Sequence, residues 1–269
     1  MVCQLTVIKL EGYGPWTLEL GSDREHQLQM LQARMYAELQ EYFSKKNGLV
    51  FFNRFDEFIA ITNQISLLEH KEIFDRISKQ NDKIKISMTI GIGETPLESD
   101  KKIHEIKKER KNMIYHNIYA IEQEHTKLKN YSKKNGERSG QGSSSSNDLK
   151  IIHIDVDSST SIAKNLSNYE ITNLLLKLYL EISSLFLKED SLAFFLGGDN
   201  FMVIARNSLD NSKITTLINT LCKLCDIKLN CGIGNGKNAR TAAMFATKSL
   251  DQIRMYRKNG KTINVFESN

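Results

Sequence analysis

The chain reads as one pattern written twice, and this repetition constrains its fold more than any single motif. Each half opens on an apolar strand, CQLTVIKL at 3–10 and LKIIHIDV at 149–156. A long amphipathic helix follows. In the first half Leu28, Leu31, Met35, Leu39 and Phe43 recur at spacings of three and four. In the second half the helix lies within YEITNLLLKLYLEISSLFL. Two short apolar runs then flank a polar tetrad, LVFFNRFDEFIAIT at 49–62 and LAFFLGGDNFMVIA at 192–205. Their length and their aromatic and β-branched content predict a hairpin in each half. A second helix comes next (LLEHKEIFDRI; ITTLINTLCKLC), then a strand closing on Gly-x-Gly (SMTIGIG at 87–93; LNCGIG at 229–234), and a last helix closes each half. This order is the β-α-β-β-α-β plan of ferredoxin-like domains. The expected fold is therefore α+β, two tandem ferredoxin-like domains related by a pseudo-two-fold duplication. Asp56 and Asp199 stand 143 residues apart and Gly91 and Gly232 141, which fits duplication with small insertions. The plan stacks two helices on one sheet face. The simplest cover for the other face is the opposite half, which would leave a cleft between the halves.

Residues 129–148, KNYSKKNGERSGQGSSSSND, are polar, Gly- and Ser-rich and free of aliphatics, as a flexible linker is. They separate an N-terminal domain, 1–128, from a C-terminal domain, 149–269. The net charge of +5 does not point to nucleic acid, because between Lys101 and Arg138 there are 11 Lys or Arg against 5 Glu and the remainder is close to neutral. That excess reads as a solvated helix face and linker with few interleaved aromatics. No apolar run approaches the roughly 20 residues of a membrane span, and MVCQLTVIKLEGYG lacks the basic start and cleavage site of a secretory signal. The protein is expected in the cytoplasm, with no nucleic-acid or membrane partner. Cys222 and Cys225 form a C-x-x-C without a second pair or a nearby histidine, so they read as small hydrophobes on a helix face.

The chemistry concentrates at strand ends of the second half. Alternation puts Asp155 and Asp157 on one side of their strand, and the plan sets that strand beside the hairpin bearing Asp199. Two carboxylates at adjacent strand ends can hold Mg²⁺, and through it the oxygens of a triphosphate. Gly197 and Gly198 let the backbone approach a ligand closely. Asn200 follows in the same tetrad. Ser158, Ser159 and Thr160 lead toward a helix and offer hydroxyls and N–H groups to phosphate. Each motif alone is also a sound turn or helix cap; their convergence at neighbouring strand ends favours a site.

The first half is an internal control. Lys9 stands where the second half has Asp155, Glu11 stands opposite Asp157, and Arg54-Phe55-Asp56-Glu57 replaces Gly-Gly-Asp-Asn. This half cannot build the same metal site, although Lys9 or Arg54 could meet a phosphate or base. The loop Gly12-Tyr13-Gly14-Pro15-Trp16 carries the sole tryptophan; it suits close ligand approach or a rigid turn with Trp16 plugging the core, and both readings stand. His26, His70, His104, His116 and His125 fall on expected helices with charged neighbours and read as exposed. His153, two residues before Asp155, is a partner of the carboxylates, a general base, or a buried histidine with its bonds satisfied. On the closing helix, Lys248, Arg254, Arg257 and Lys258 could neutralise a triphosphate or be ordinary surface cations.

These residues carry a resemblance. HIDVDSST (153–160) and FFLGGDNFM (194–202) resemble the catalytic domain of nucleotidyl and diguanylate cyclases. With YGPWT (13–17), LQMLQARMYAEL (28–39), GLVFFNRFDEFIAIT (48–62) and GIG (232–234), the chain is more similar to the archaeal GTP cyclohydrolase III family. The resemblance implies a Mg²⁺-dependent enzyme, expected to be a homo-oligomer, that acts on GTP. It would open the imidazole ring and cleave the triphosphate to give a formylamino-pyrimidine ribonucleotide monophosphate and phosphate, for riboflavin and deazaflavin synthesis. It further implies that Asp155, the main-chain carbonyl of Val156 and Asp199 bind the metal, with His153 and Asp157 as candidates for proton transfer at C8. A cyclase is the first rival, but Asn200 stands where diguanylate cyclases carry Glu, and LKEDSLAFF lacks their RxxD inhibitory motif. A non-catalytic GTP-binding module is the second, disfavoured by the presence of both Asp155 and Asp199.

Overall fold

A computed structural model describes residues 2–54, 56–81, 84–109, 112–121, 148–157 and 164–268. The described residues form two compact units, one drawn from 2–94 and 98–143, the other from 95–97 and 144–269. The expected linker falls outside the described residues except for Asp148.

The first unit runs β1 (Cys3–Glu11), α1 (Tyr13–Glu19), α2 (Glu25–Lys45), β2 (Leu49–Arg54), β3 (Glu57–Ile61), α3 (Leu67–Gln80), β4 (Lys85–Gly93), α4 (Pro96–Glu109), β5 (Met113–Tyr115) and β6 (Ile118–Ala120). The second runs β7 (Leu149–Val156), α5 (Asn168–Leu187), β8 (Leu192–Gly197), β9 (Asn200–Ala205), α6 (Asn211–Cys225), β10 (Leu229–Gly236), α7 (Ala239–Lys258) and β11 (Val265–Ser268). Strand order is β2-β3-β1-β4-β6-β5 in one sheet and β11-β10-β7-β9-β8 in the other. The four antiparallel strands of the ferredoxin-like plan are present in each. Strands after the closing helices extend both sheets, β6 parallel to β4 and β11 parallel to β10, and the repeat pattern held no sign of these short pieces.

The predicted spacing of α2 is used as written: Leu28, Leu31, Met35, Leu39 and Phe43 are all buried. Leu31, Met35, Leu39 and Phe43, with Ile73, Phe74 and Ile77 of α3, cover the sheet face bearing Ile8, Leu10, Met88 and Ile90. In the second unit Leu178, Ile182 and Phe186 of α5 and Ile214, Leu217, Ile218 and Leu221 of α6 cover Ile152, Ile154 and Val156. Helix starts are fixed by side-chain caps, Ser66 with Glu69 on α3, Ser167 with Glu170 on α5, Asp210 on α6 and Asn238 on α7.

The strand register sharpens the duplication. Tyr36, Phe52 and Phe58 form an aromatic trio, and Tyr179, Phe195 and Phe201 form its twin, each member 143 residues on. Tyr36 Oη donates to the Val50 carbonyl at 3.3 Å and Tyr179 Oη to the Ala193 carbonyl at 3.2 Å. Leu10 N–H donates to the Asp56 carbonyl and Val156 N–H to the Asp199 carbonyl. Leu5 pairs with Gly91 and Ile151 with Gly234, so the partner of Gly91 is Gly234, at the same offset of 143, and not Gly232. Anchoring on the first glycine of each motif had produced the shorter offset.

Gly-x-Gly also answers what covers the second face of each sheet. A β-carbon on Gly234 would lie 2.2 Å from the Ala246 nitrogen and 2.3 Å from the Ala242 carbonyl oxygen, and one on Gly91 2.4 Å from the Ser99 carbonyl oxygen. The backbones of α7 and α4 therefore rest directly on β10 and β4. In each unit the closing helix thus packs on that face of its own sheet.

Three other expectations change. The Gly12–Trp16 segment is mostly helix, α1, with Gly12 at φ 67° before it and Tyr13 and Trp16 packed on the core. His116 lies in the turn between β5 and β6, not on a helix, and His125 is outside the described residues. His70 is fully buried. Its Nδ1–H donates to the Ser66 carbonyl and its Nε2 lies at the Thr6 hydroxyl, both at 2.8 Å; burial favours the neutral ring, in which Nε2 accepts from that hydroxyl. Its apolar helix position is concealed in sequence by the flanking Glu69 and Lys71.

Substituting Gly234 by Ala should cost about 2 to 3 kcal/mol, whereas Gly14→Ala, with nothing within 4 Å and a helical site, should be near neutral; urea unfolding of both variants checks this. Burial also lowers His70 from 6.5 to about 4. The unfolded chain then binds the proton more tightly, so stability present above pH 6.5 is lost as pH falls toward 4, by about 3 kcal/mol. Urea midpoints at pH 7 and 4.5 should differ less in His70→Gln than in the natural chain; equal losses would contradict the assignment.

Candidate functional site

The site grows from the pairing of β7 with β9. Asp155 sits opposite Asn200 on one side and Asn230 of β10 on the other. One residue on, Val156 N–H donates to the Asp199 carbonyl at 3.3 Å, which brings the hairpin turn beside the end of β7. In an extended strand the N–H and C=O of one residue point to the same side, so the Val156 carbonyl also faces the turn. Gly197 and Gly198 take φ values of 97° and 60° and are exposed. The turn uses their left-handed freedom, so turn geometry as well as ligand approach explains them.

Asp155 is 7 % exposed. Burial pushes its carboxyl up, Arg254 pulls it back, and the nearby Asp199 charge pushes it up again, with a net rise. Arg254 of α7 reaches Asp155 Oδ2 through Nη2 at 3.0 Å and Asp251 Oδ1 through Nη1 at 3.0 Å. Arg257 pairs with Asp157 and also donates to Asn230 Oδ1. The two arginines thus rest on the strand-end carboxylates, where the sequence suggested phosphate contacts. Asn200 Nδ2 donates to Asp199 Oδ1 at 2.8 Å, while Asn200 Oδ1 lies 3.0 Å from His153 Nε2 and Thr247 Oγ1 lies 3.1 Å from His153 Nδ1. Burial lowers His153 below the usual histidine range, partly offset by Asn200 and Asp155.

Asp155, Asp199, Asn200, His153 and the Val156 main chain therefore come together, with Asp157 one alternation further along. Lys248 does not join them. It is exposed on the outer side of α7, its ammonium 5.9 Å from the Phe245 ring centroid. Lys9 and Arg54 belong to the other unit, where Arg54 pairs with Glu57 at 2.9 Å. Ser158, Ser159 and Thr160 lie outside the described residues. Thr247, Asp251 and Asn230 were missed. Thr247, Asp251 and Arg254 share a helix face at spacings of four and three, and Asn230 is a polar residue inside a buried strand; both signals were legible.

A divalent cation fits this donor set. Two carboxylate groups and a main-chain oxygen are hard ligands suited to Mg²⁺, and like charges gathered under partial burial gain from a cation. Among the described residues no group of three or more His, Cys, Asp or Glu side chains is placed to hold a metal. Water or substrate oxygens would have to complete the coordination, as is usual for Mg²⁺ on phosphates. The twin position shows the alternative. Lys9 pairs with Glu57 in register as Asp155 does with Asn200. Glu57, 4 % exposed, is clamped by Lys107 at 2.5 Å, Arg54 at 2.9 Å and Asn53 at 2.8 Å. Burial pushes its carboxyl up, but the two cations outweigh this and hold it low.

A ferredoxin-like sheet with two carboxylates and a main-chain oxygen beside a glycine turn has the hard oxygen donors that a divalent cation takes. The GTP cyclohydrolase III family model matches residues 2–267. The GTP cyclohydrolase III of Methanocaldococcus jannaschii is 34 % identical over 258 residues, covering 93 % of this chain and 88 % of the relative. That of Methanobrevibacter smithii is 33 % identical, covering 93 % of each. Among solved structures, the active GGEEF domain of a diguanylate cyclase from Vibrio cholerae aligns with 52 % of this chain and 90 % of its own at 14 % identity and a TM-score of 0.38. The chain belongs to the GTP cyclohydrolase III family. No helix among the described residues is long and apolar enough to cross a membrane.

Substituting Arg254 by Gln removes the cation that pulls Asp155 down. The Asp155 carboxyl should then titrate higher than in the natural chain, read by ¹³C NMR of the labelled carboxyl group; an unchanged titration would contradict the pairing.

Proposed function

We propose that the chain is a Mg²⁺-dependent GTP cyclohydrolase. It hydrolyses GTP by opening the imidazole ring and cleaving the triphosphate, yielding a formylamino-pyrimidine ribonucleotide monophosphate and phosphate. The observation that carries this reading, beside family membership, is the meeting of Asp155 and Asp199 at the end of β7, in the half that has no built-in cation on position 200. Asp155, Asp199 and the Val156 carbonyl would hold the metal. When bound, Mg²⁺ polarises phosphate oxygens and lowers the pKa of a coordinated water. The exposed Gly197–Gly198 turn lets a phosphate approach the backbone without a side chain in the way. Arg254, half-exposed and 3.0 Å from Asp155, keeps that carboxylate charged and placed. Arg257 orients Asp157. His153 has a partner at each ring nitrogen, so it holds its neighbours more readily than it accepts a proton from water. Asp157 remains the candidate for proton transfer at C8. The setting is a cytoplasmic homo-oligomer supplying riboflavin and deazaflavin synthesis.

Incubation with GTP and Mg²⁺ should abolish the purine absorbance and release phosphate. Asp199→Ala and Asp155→Ala should each lower the rate by at least about a thousandfold, on the scale of losing a residue essential to charge stabilisation. Release of pyrophosphate with the purine spectrum intact would mean a cyclase instead, and normal turnover in either variant would sink the metal assignment.

A further inference from the structure

Asp199 is half-buried at the turn between β8 and β9, where Asn200 reaches its carboxylate. An ionised carboxylate only accepts hydrogen bonds. The group 2.8 Å from Asp199 Oδ1 must therefore be the Asn200 amide nitrogen, and the other end of that amide, Oδ1, must face His153. Asn200 Oδ1 accepts, so His153 Nε2 carries the proton that it donates at 3.0 Å. In the neutral ring Nδ1 is then left to accept from the Thr247 hydroxyl at 3.1 Å. Every member has one orientation, and the row runs from α7 through β7 to the turn.

We propose that His153 and Asn200 are positioning residues: together with Thr247 they tie the Asp199 carboxylate to α7 and so set its aim at a divalent cation. This rests on the reading of Asp155 and Asp199 as metal ligands.

The other half supplies an independent control. The register places Val7 at the station of His153 and Glu57 at that of Asn200. The contacts of Gly91 and Gly234 with their helices place His104 at the station of Thr247. Val7 has no donor, so the row is broken there, and Glu57 is clamped by Lys107, Arg54 and Asn53 instead. The relay occurs only in the half that keeps Gly-Gly-Asp. It also assigns a role to the amide at position 200. A carboxylate there could not donate to Asp199 and would repel it.

The test is binding of Mn²⁺ alone to the full chain, read from the EPR signal of free Mn²⁺, with circular dichroism to confirm folding. Partners of metal ligands are typically worth 10- to 100-fold in affinity, so His153→Phe and Asn200→Ala should each weaken Mn²⁺ binding about tenfold or more. His153→Gln, whose amide N–H can reach Asn200 Oδ1, should restore most of the affinity. The double variant His153→Phe/Asn200→Ala should bind no more weakly than the worse single one, because both cut the same row. Natural affinity in His153→Phe, no rescue by His153→Gln, or losses that multiply in the double variant would overturn the relay. Asp199→Asn separates the two readings. If it loses Mn²⁺ while His153→Phe and Asn200→Ala do not, the relay fails and the metal site stands; if it binds Mn²⁺ normally, both fail. Should His153→Phe misfold, His153→Gln and Asn200→Ala decide alone.

Discussion

The seating of α7 on β10 is the constraint from which the site follows. Three glycines on alternate residues, Gly232, Gly234 and Gly236, let the helix backbone come to within contact of the strand. No side chain intervenes, so the helix has one height and one rotation. That rotation delivers Thr247, Arg254 and Arg257 to the end of β7, where His153, Asp155 and Asp157 project from the same strand face. A bulkier strand would lift the helix and withdraw all three partners together.

The second theme is the handling of negative charge. Burial raises the cost of ionising Asp155, and the neighbouring Asp199 charge adds to it. Arg254, exposed over about half of its side chain, meets that cost only in part, which leaves the pair suited to an exchangeable cation. In the twin site the charge of Glu57 is settled internally by Lys107 and Arg54. One duplicated framework thus carries two arrangements of a carboxylate at a strand end, a closed ion-pair cluster and an open site at which we propose a metal.

Much of this was legible in the sequence. The double pattern gave the α+β plan, and the spacing of Leu28, Leu31, Met35, Leu39 and Phe43 gave the buried face of α2. Alternation along IIHIDVD put Asp155 beside the Gly-Gly-Asp turn. What escaped was long-range. Which glycine of β4 matches which of β10 depends on cross-strand register, and the sequence offers two candidates two residues apart. The packing of α4 and α7 on the second sheet faces depends on backbone contact, which has no periodic signal beyond the glycines themselves. His70 was hidden because its neighbours are charged while its own face is apolar. Lys248 and Arg254 look alike in sequence, yet helix rotation sends one to solvent and the other to Asp155.

Asp155 and Asp199 are proposed to hold divalent metal between β7 and the glycine turn. Anomalous X-ray scattering from crystals grown with Mn²⁺ and a non-hydrolysable GTP analogue tests it most directly. A peak is expected within coordination distance of both carboxylates and the Val156 carbonyl, and of phosphate oxygens. A peak elsewhere, or phosphates bound at this turn with no metal between them and Asp199, would contradict it.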